Sequence, residues 1–115
     1  MERKSTFKFD YEIKEIVSYI AELNMMIIRD STLCYKLVNL RDNSAGPLTI
    51  ESRAYWSLTN IYAVYPRDKK KTSFEIISYD EENIYTSTFD LNRMIIKFLS
   101  VNAHSLQGEA QKTIE

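Results

Sequence analysis

The sequence predicts an α+β domain, an antiparallel sheet of three to four strands packed against an N-terminal and a C-terminal helix. Three observations lead there. Apolar residues recur at helical spacing near both ends of the chain, two β-rich runs flank a short polar link around residue 80, and the middle is rich in Tyr, Trp, Ile and Val. At 115 residues there is room for one domain. Residues 1–9 read as an N-terminal tail, 10–105 as the domain and 106–115 as a frayed C-terminal tail.

The first element runs from Asp10 to about Ile28. Ile13, Ile16, Val17, Ile20, Leu23 and Ile27 fall on one face of a helix, and Asp10 supplies an N-cap carboxylate. Leu33 to Leu40 fits either a helix or a strand, because a short apolar run is not resolved by period alone. Arg41 to Pro47 (RDNSAGP) reads as a loop. Ile50 to Tyr65 has helical spacing, with Thr49 as N-cap and Pro66 beyond the end, but its composition suits a strand. The preferred reading is a bent strand, or a short helix turning into a strand near Trp56. Ser73–Tyr79 and Ile84–Phe89 around Asp80-Glu81-Glu82-Asn83 predict a hairpin. Asp90 then caps a last helix carrying Leu91, Met94, Ile95, Phe98 and Leu99 on one stripe. If both ambiguous runs are helical, the order becomes that of a winged helix-turn-helix.

Composition excludes several chemistries. With one Cys there is no internal disulfide, and one Cys with one His cannot make a conventional zinc site. Cys34 reads as a small buried hydrophobe and His104 as a solvated residue near a helix end. Two Gly are too few for a phosphate-cradling loop. The acids of the Asp80–Glu82 link lack the spacing of a calcium loop, and no carboxylate is clearly placed inside. No cofactor and no metal is expected. The longest unbroken run of non-aromatic apolar residues is Met25–Ile28, far short of a membrane span, and a lone Cys suits the cytoplasm, or a host's cytoplasm for a viral or phage protein.

Two surface features remain. Eight tyrosines and one Trp make the chain aromatic-rich, and Tyr55, Trp56, Tyr62, Tyr79 and Tyr85 are the candidate partner-binding anchors. The same residues equally suit a core or a sheet rim. Arg53, Arg67, Lys69, Lys70 and Lys71 are the candidate contacts to nucleic acid or an acidic partner, although lysines in a turn also serve solubility alone. The formal net charge of −1 argues against a generally basic nucleic-acid binder. The expected function is therefore a small, non-enzymatic regulatory or inhibitory protein of the immunity-protein or phage-inhibitor type. It would act by binding another protein and is compatible with a homodimer. The alternative is a winged-helix transcriptional regulator, with Ser52, Arg53 and Trp56 opening the recognition helix. No motif carries a family resemblance.

Overall fold

A computed structural model describes residues 11–102. The expected tails, the Asp10 cap and His104 lie outside the described residues. The described residues are mostly β, with 58% of them in strands and one short helix, which overturns the α+β expectation. The strands are β1 (Ile13–Ile20), β2 (Met25–Asp30), β3 (Tyr35–Asn39), β4 (Ser44–Pro47), β5 (Thr49–Ile50), β6 (Ile61–Pro66), β7 (Ser73–Tyr79), β8 (Ile84–Asp90) and β9 (Ile95–Asn102). The helix, α1 (Ser52–Ser57), lies between β5 and β6. One sheet has the order β1-β2-β3-β4 and the other β5-β9-β8-β7-β6. All pairs are antiparallel except β5 with β9.

Neither terminal helix forms, and neither does a winged helix-turn-helix. The physical reason is the same at both ends: irregular strands imitate helical spacing. β1 pairs with β2 through two register shifts, between Ile13 and Glu15 and between Ile16 and Ser18. Each bulge adds a residue to the strand and breaks its two-residue alternation. Val17 and Ile20 therefore turn inward at a spacing that mimics a helix face. A reversal at 21–24 then separates β1 from β2, tightened by Leu23 N donating to Ile20 O (3.2 Å) and Asn24 N to Ala21 O (3.1 Å). At the other end Leu91 and Met94 sit in the β8–β9 turn and pack on the core, while Leu99 is the extra residue of a bulge opposite Thr86 and Ser87. Asp90 does cap, but it caps this turn. Its Oδ1 accepts from Arg93 N at 3.0 Å.

The ambiguous segments resolve into strands with one helical turn and a half between them. β3 occupies the middle of Leu33–Leu40, and the expected loop at 41–47 contributes β4. Ile50–Tyr65 becomes α1 followed by β6, with Glu51 rather than Thr49 at the N-cap position. The β7–β8 hairpin forms around 80–83 with Tyr79 opposite Ile84.

Ser44–Ile50 joins the two sheets. Leu48 N donates to Tyr35 O (2.9 Å) on the first sheet, and the next amide, Thr49 N, donates to Met94 O (2.9 Å) on the second. A strand that changes sheets at a corner brings both apolar faces over one core. Ile20, Ile27 and Leu37 come from the first sheet and Val64, Phe74, Ile76, Phe89 and Ile96 from the second, with Leu48 at the corner and Ala54 and Leu58 from the helical turn. Phe74 and Phe89 face each other across β7 and β8 with ring centroids 6.1 Å apart. Tyr55 and Arg29 both reach Glu15, the hydroxyl donating at 2.8 Å and the guanidinium pairing at 2.8 Å, which ties α1 to the first sheet.

Five residues at the reversals have positive φ and none is glycine: Asn24, Leu33, Asn43, Lys71 and Met94. A left-handed non-Gly residue costs roughly 1–2 kcal/mol, and Gly returns part of that through its own entropy. Leu33 is 60% exposed, so it has little packing to lose. Leu33→Gly should raise stability by about 0.5–1 kcal/mol in urea denaturation. Met94→Gly should do the opposite, because the Met94 side chain packs on the core and its Cε would lie 3.3 Å from a Cβ at Gly46. A stabilised Met94→Gly protein would contradict this account of the turn.

Asp30 is buried at the end of β2. Its Oδ1 accepts from Thr32 Oγ1 (2.6 Å), Thr32 N (2.9 Å) and Cys34 N (3.0 Å), and Lys36 Nζ lies 3.4 Å from Oδ2. The Thr32 hydroxyl first and the Cys34 amide next hold the carboxyl down to about 2. The unfolded chain therefore takes up the proton first as pH falls. The stabilisation is complete above the ordinary carboxylate value, ~3.9, and disappears between there and about 2. Urea midpoints measured between pH 5 and pH 2 should fall less steeply for Asp30→Asn than for the wild-type chain. Superimposable acid limbs would remove Asp30 from the account.

Candidate functional site

The five-stranded sheet has one face on the core and one facing out. Strand pairing places Val64, Phe74, Ile76, Phe89 and Ile96 inward. The alternate positions make rows across the outer face. Tyr65, Glu75, Thr88 and Lys97 form one row, Ala63, Ile77, Thr86 and Ser100 the next, and Tyr79, Ile84 and Asn102 a third. At the opposite end Ser73, Asp90 and Ile95 line up, with Arg67 N donating to Ser73 O at 2.7 Å. The register therefore sorts the face along its length, from a cationic end to an aromatic end.

At the aromatic end Tyr62, Ile77, Tyr79 and Ile84 line an apolar groove of about 280 Å³. Tyr62, at the register shift in β6, is 76% exposed and Tyr79 is 44% exposed. On the other side of the sheet, in the last turn of α1, Trp56 is 70% exposed. Trp56 lines a second depression with Arg53, Asn83, Tyr85, Phe98 and Val101. Arg53 lies over the Phe98 ring, 5.1 Å from its centroid. The Phe98 amide in turn donates to Glu51 Oε1 at 3.0 Å, which fixes the start of α1 against β9.

The β7–β8 turn between the two depressions is held by one carboxylate. Asp80 Oδ1 accepts from Glu82 N and Asn83 N, each at 2.8 Å, and Oδ2 accepts from the Tyr85 hydroxyl. That hydroxyl, with the two amides, holds the Asp80 carboxyl below the usual range, and Asp80 correspondingly pushes the Tyr85 hydroxyl up. The Tyr85 ring is thereby locked against the turn while its face remains part of the depression.

Four of the five expected anchors, Trp56, Tyr62, Tyr79 and Tyr85, thus surround one end of one sheet. Tyr55 does not join them. It packs against Tyr35 with ring centroids 5.7 Å apart and donates to Glu15, so it is a framework residue. Its hydroxyl is pushed up by that bond to Glu15. The expected basic set divides as well. Arg53 belongs to the Trp56 depression, while Arg67 and the Lys69–Lys71 loop lie at the cationic end.

Sequence reasoning missed two cations there. Arg93 and Lys97 come from the turn and strand that periodicity assigns to a last helix, and with Arg67, Ser73, Thr88, Asp90 and Ile95 they line a polar pocket of about 200 Å³. It also missed Phe98 and Val101 beside Trp56, for the same reason. Cys34 is exposed rather than buried, because it follows the left-handed Leu33 in the β2–β3 turn instead of lying inside an apolar strand. Among the described residues no group of three His, Cys, Asp or Glu could hold a metal ion, and no helix is long and apolar enough to cross a membrane. Compared with protein-family models, curated proteins and solved structures, the chain has no significant match.

Proposed function

We propose that this chain is a small regulatory or inhibitory protein that works without catalysis by binding another protein. The observation that carries the reading is the gathering of Trp56, Tyr62, Tyr79 and Tyr85 around the β7–β8 end of the five-stranded sheet, with Arg53 beside them. Trp, Tyr and Arg dominate binding energetics because they bring large contact area, little rotamer entropy to lose and a polar end. Here Tyr85 and the start of the helix that carries Trp56 are held before any partner arrives. Glu51 and Phe98 hold the helix start, and Asp80 holds Tyr85.

Ionised carboxylates hold several of the turns. Asp30, Asp42, Asp68 and Asp80 are all lowered. For Asp68 burial opposes the shift, and the bonds from the Thr72 hydroxyl and amide outweigh it. These carboxylates are turn anchors kept ionised by donors. The mechanism that fits is occlusion, with the aromatic end of the sheet covering a partner's working surface.

Trp56 and Tyr62 are mostly exposed, so truncating either should change folding stability by no more than about 0.5 kcal/mol. Once the bound protein has been isolated on the immobilised full chain and purified, titration calorimetry should show Trp56→Ala and Tyr62→Ala each losing ~2 kcal/mol or more of affinity. Leu33→Ala, on the β2–β3 turn of the other sheet, should bind as the wild type. Undiminished affinity in both aromatic variants would refute the reading.

A further inference from the structure

We infer that the opposite, cationic end of the same sheet face is a phosphodiester-binding site for single-stranded nucleic acid. This does not depend on the protein-binding reading, since it concerns a different set of residues at the other end of the face.

Three separate elements meet there. Arg67 follows β6, Arg93 lies in the β8–β9 turn and Lys97 projects from β9, while Ser73 and Thr88 add hydroxyls from β7 and β8 to the polar pocket of about 200 Å³. Lys69, Lys70 and Lys71 continue the charge on the loop that begins at Arg67. Six of the chain's fifteen Lys and Arg therefore gather in a molecule whose formal net charge is −1. Three acids accompany them and all are engaged. Asp90 accepts from Arg93 N (3.0 Å) and lies 3.9 Å from Arg93 Nε, and Asp68 accepts from Thr72 N (3.1 Å) and Thr72 Oγ1 (2.9 Å). Glu75, in the same row as Thr88 and Lys97, is tied to the Tyr65 hydroxyl, which that bond pushes up.

Donors arriving from several sides suit a tetrahedral oxyanion, and a cationic loop beyond the pocket suits a polymer of such groups rather than a single one. A single strand is favoured over a duplex for two reasons. The face is a sheet, and the one helix among the described residues packs on its other side, so nothing here projects into a major groove. In the same row as Thr88 and Lys97, Tyr65 is 44% exposed and offers a ring for an unstacked base. Thr88 in that row and Thr86 and Ser100 in the next are uncharged and small, leaving room for the strand to lie along the face.

The test is fluorescence anisotropy with the full chain and a labelled oligothymidylate of about twenty nucleotides, over roughly 50 to 200 mM salt. Binding should weaken with salt. Arg93→Gln and Lys97→Gln should each reduce affinity about tenfold at the low end and lower the salt slope by roughly 0.7 for each phosphate left without its cation. Lys97→Arg should retain most of the affinity, and Arg41→Gln, on a turn of the other sheet, should retain all of it. Four outcomes would overturn the inference: no measurable binding at low salt, equal loss in Arg41→Gln, equally tight binding of a duplex of the same length, or equally effective competition by polyglutamate, which would assign the pocket to an acidic protein segment instead.

Discussion

Nearly everything in this fold depends on reversing the chain tightly without glycine. Six antiparallel connections link the described strands, and the chain has only two Gly, of which Gly46, within the described residues, is not at positive φ. Five other residues take the left-handed conformation instead. Asn tolerates it through its short polar side chain, whereas Leu33, Lys71 and Met94 adopt it at a real conformational cost. Aspartates hold the turns in shape. Asp30, Asp42, Asp68, Asp80 and Asp90 each accept backbone amides within their own reversals. A carboxylate accepting amides is a charge-assisted bond, stronger than a neutral one, and it offsets part of the strain beside it. Because turn geometry fixes register, and register decides which side chains share a face, these bonds determine where the surface residues go.

The corner at Leu48 carries that order from one sheet to the other. With consecutive amides on different sheets, the Ser44–Ile50 strand cannot slide without breaking both ladders. Gly46 serves this corner through its missing side chain rather than its φ, since it faces Met94 closely. Downstream, α1 is too short to be stable alone and has no side-chain cap of its own. Its position comes from the burial of Ala54 and Leu58 and from the Ser57 hydroxyl, which donates to Ala54 O (2.9 Å) and lies 2.9 Å from Ser87 Oγ. The exposure of Trp56 follows directly. With Ala54 and Leu58 turned into the core, the intervening Trp56 must point outward.

What the sequence makes legible is local. The β7–β8 hairpin is readable because Phe74, Ile76 and Ser78 alternate cleanly with Glu75, Ile77 and Tyr79, and no bulge interrupts that pairing. A short helix giving way to a strand near Trp56 is also within reach, because Pro66 and the run of Tyr and Val mark β6. The two terminal helices are misreadings. Bulges in β1 and β9 shift apolar residues by one, and turn residues such as Leu23, Leu91 and Met94 add inward-facing side chains at helical intervals. Periodicity counts positions and does not distinguish a bulged strand and its turn from a helix. Of the site, residue types alone identify the anchors. Their division between the groove, the Trp56 depression and the Glu15 bond requires the pairing of strands distant in sequence.

The same pairing explains why the outer face is two-ended. Along β6 the chain runs from Tyr62 to Arg67, and along β8 and β9 from Ile84 through Thr88 to Arg93 and Lys97. Antiparallel neighbours bring the aromatic starts together at one end and the charged turns together at the other. A strand rises about 3.3 Å per residue, so the six steps from Ile84 to Asp90 separate the two ends by roughly 20 Å. That span exceeds the Debye length at physiological salt, about 8 Å, so the cations do not electrostatically bias what meets the aromatic groove. The two ends can therefore be occupied separately, and a single ligand spanning both must be an extended chain rather than a small molecule.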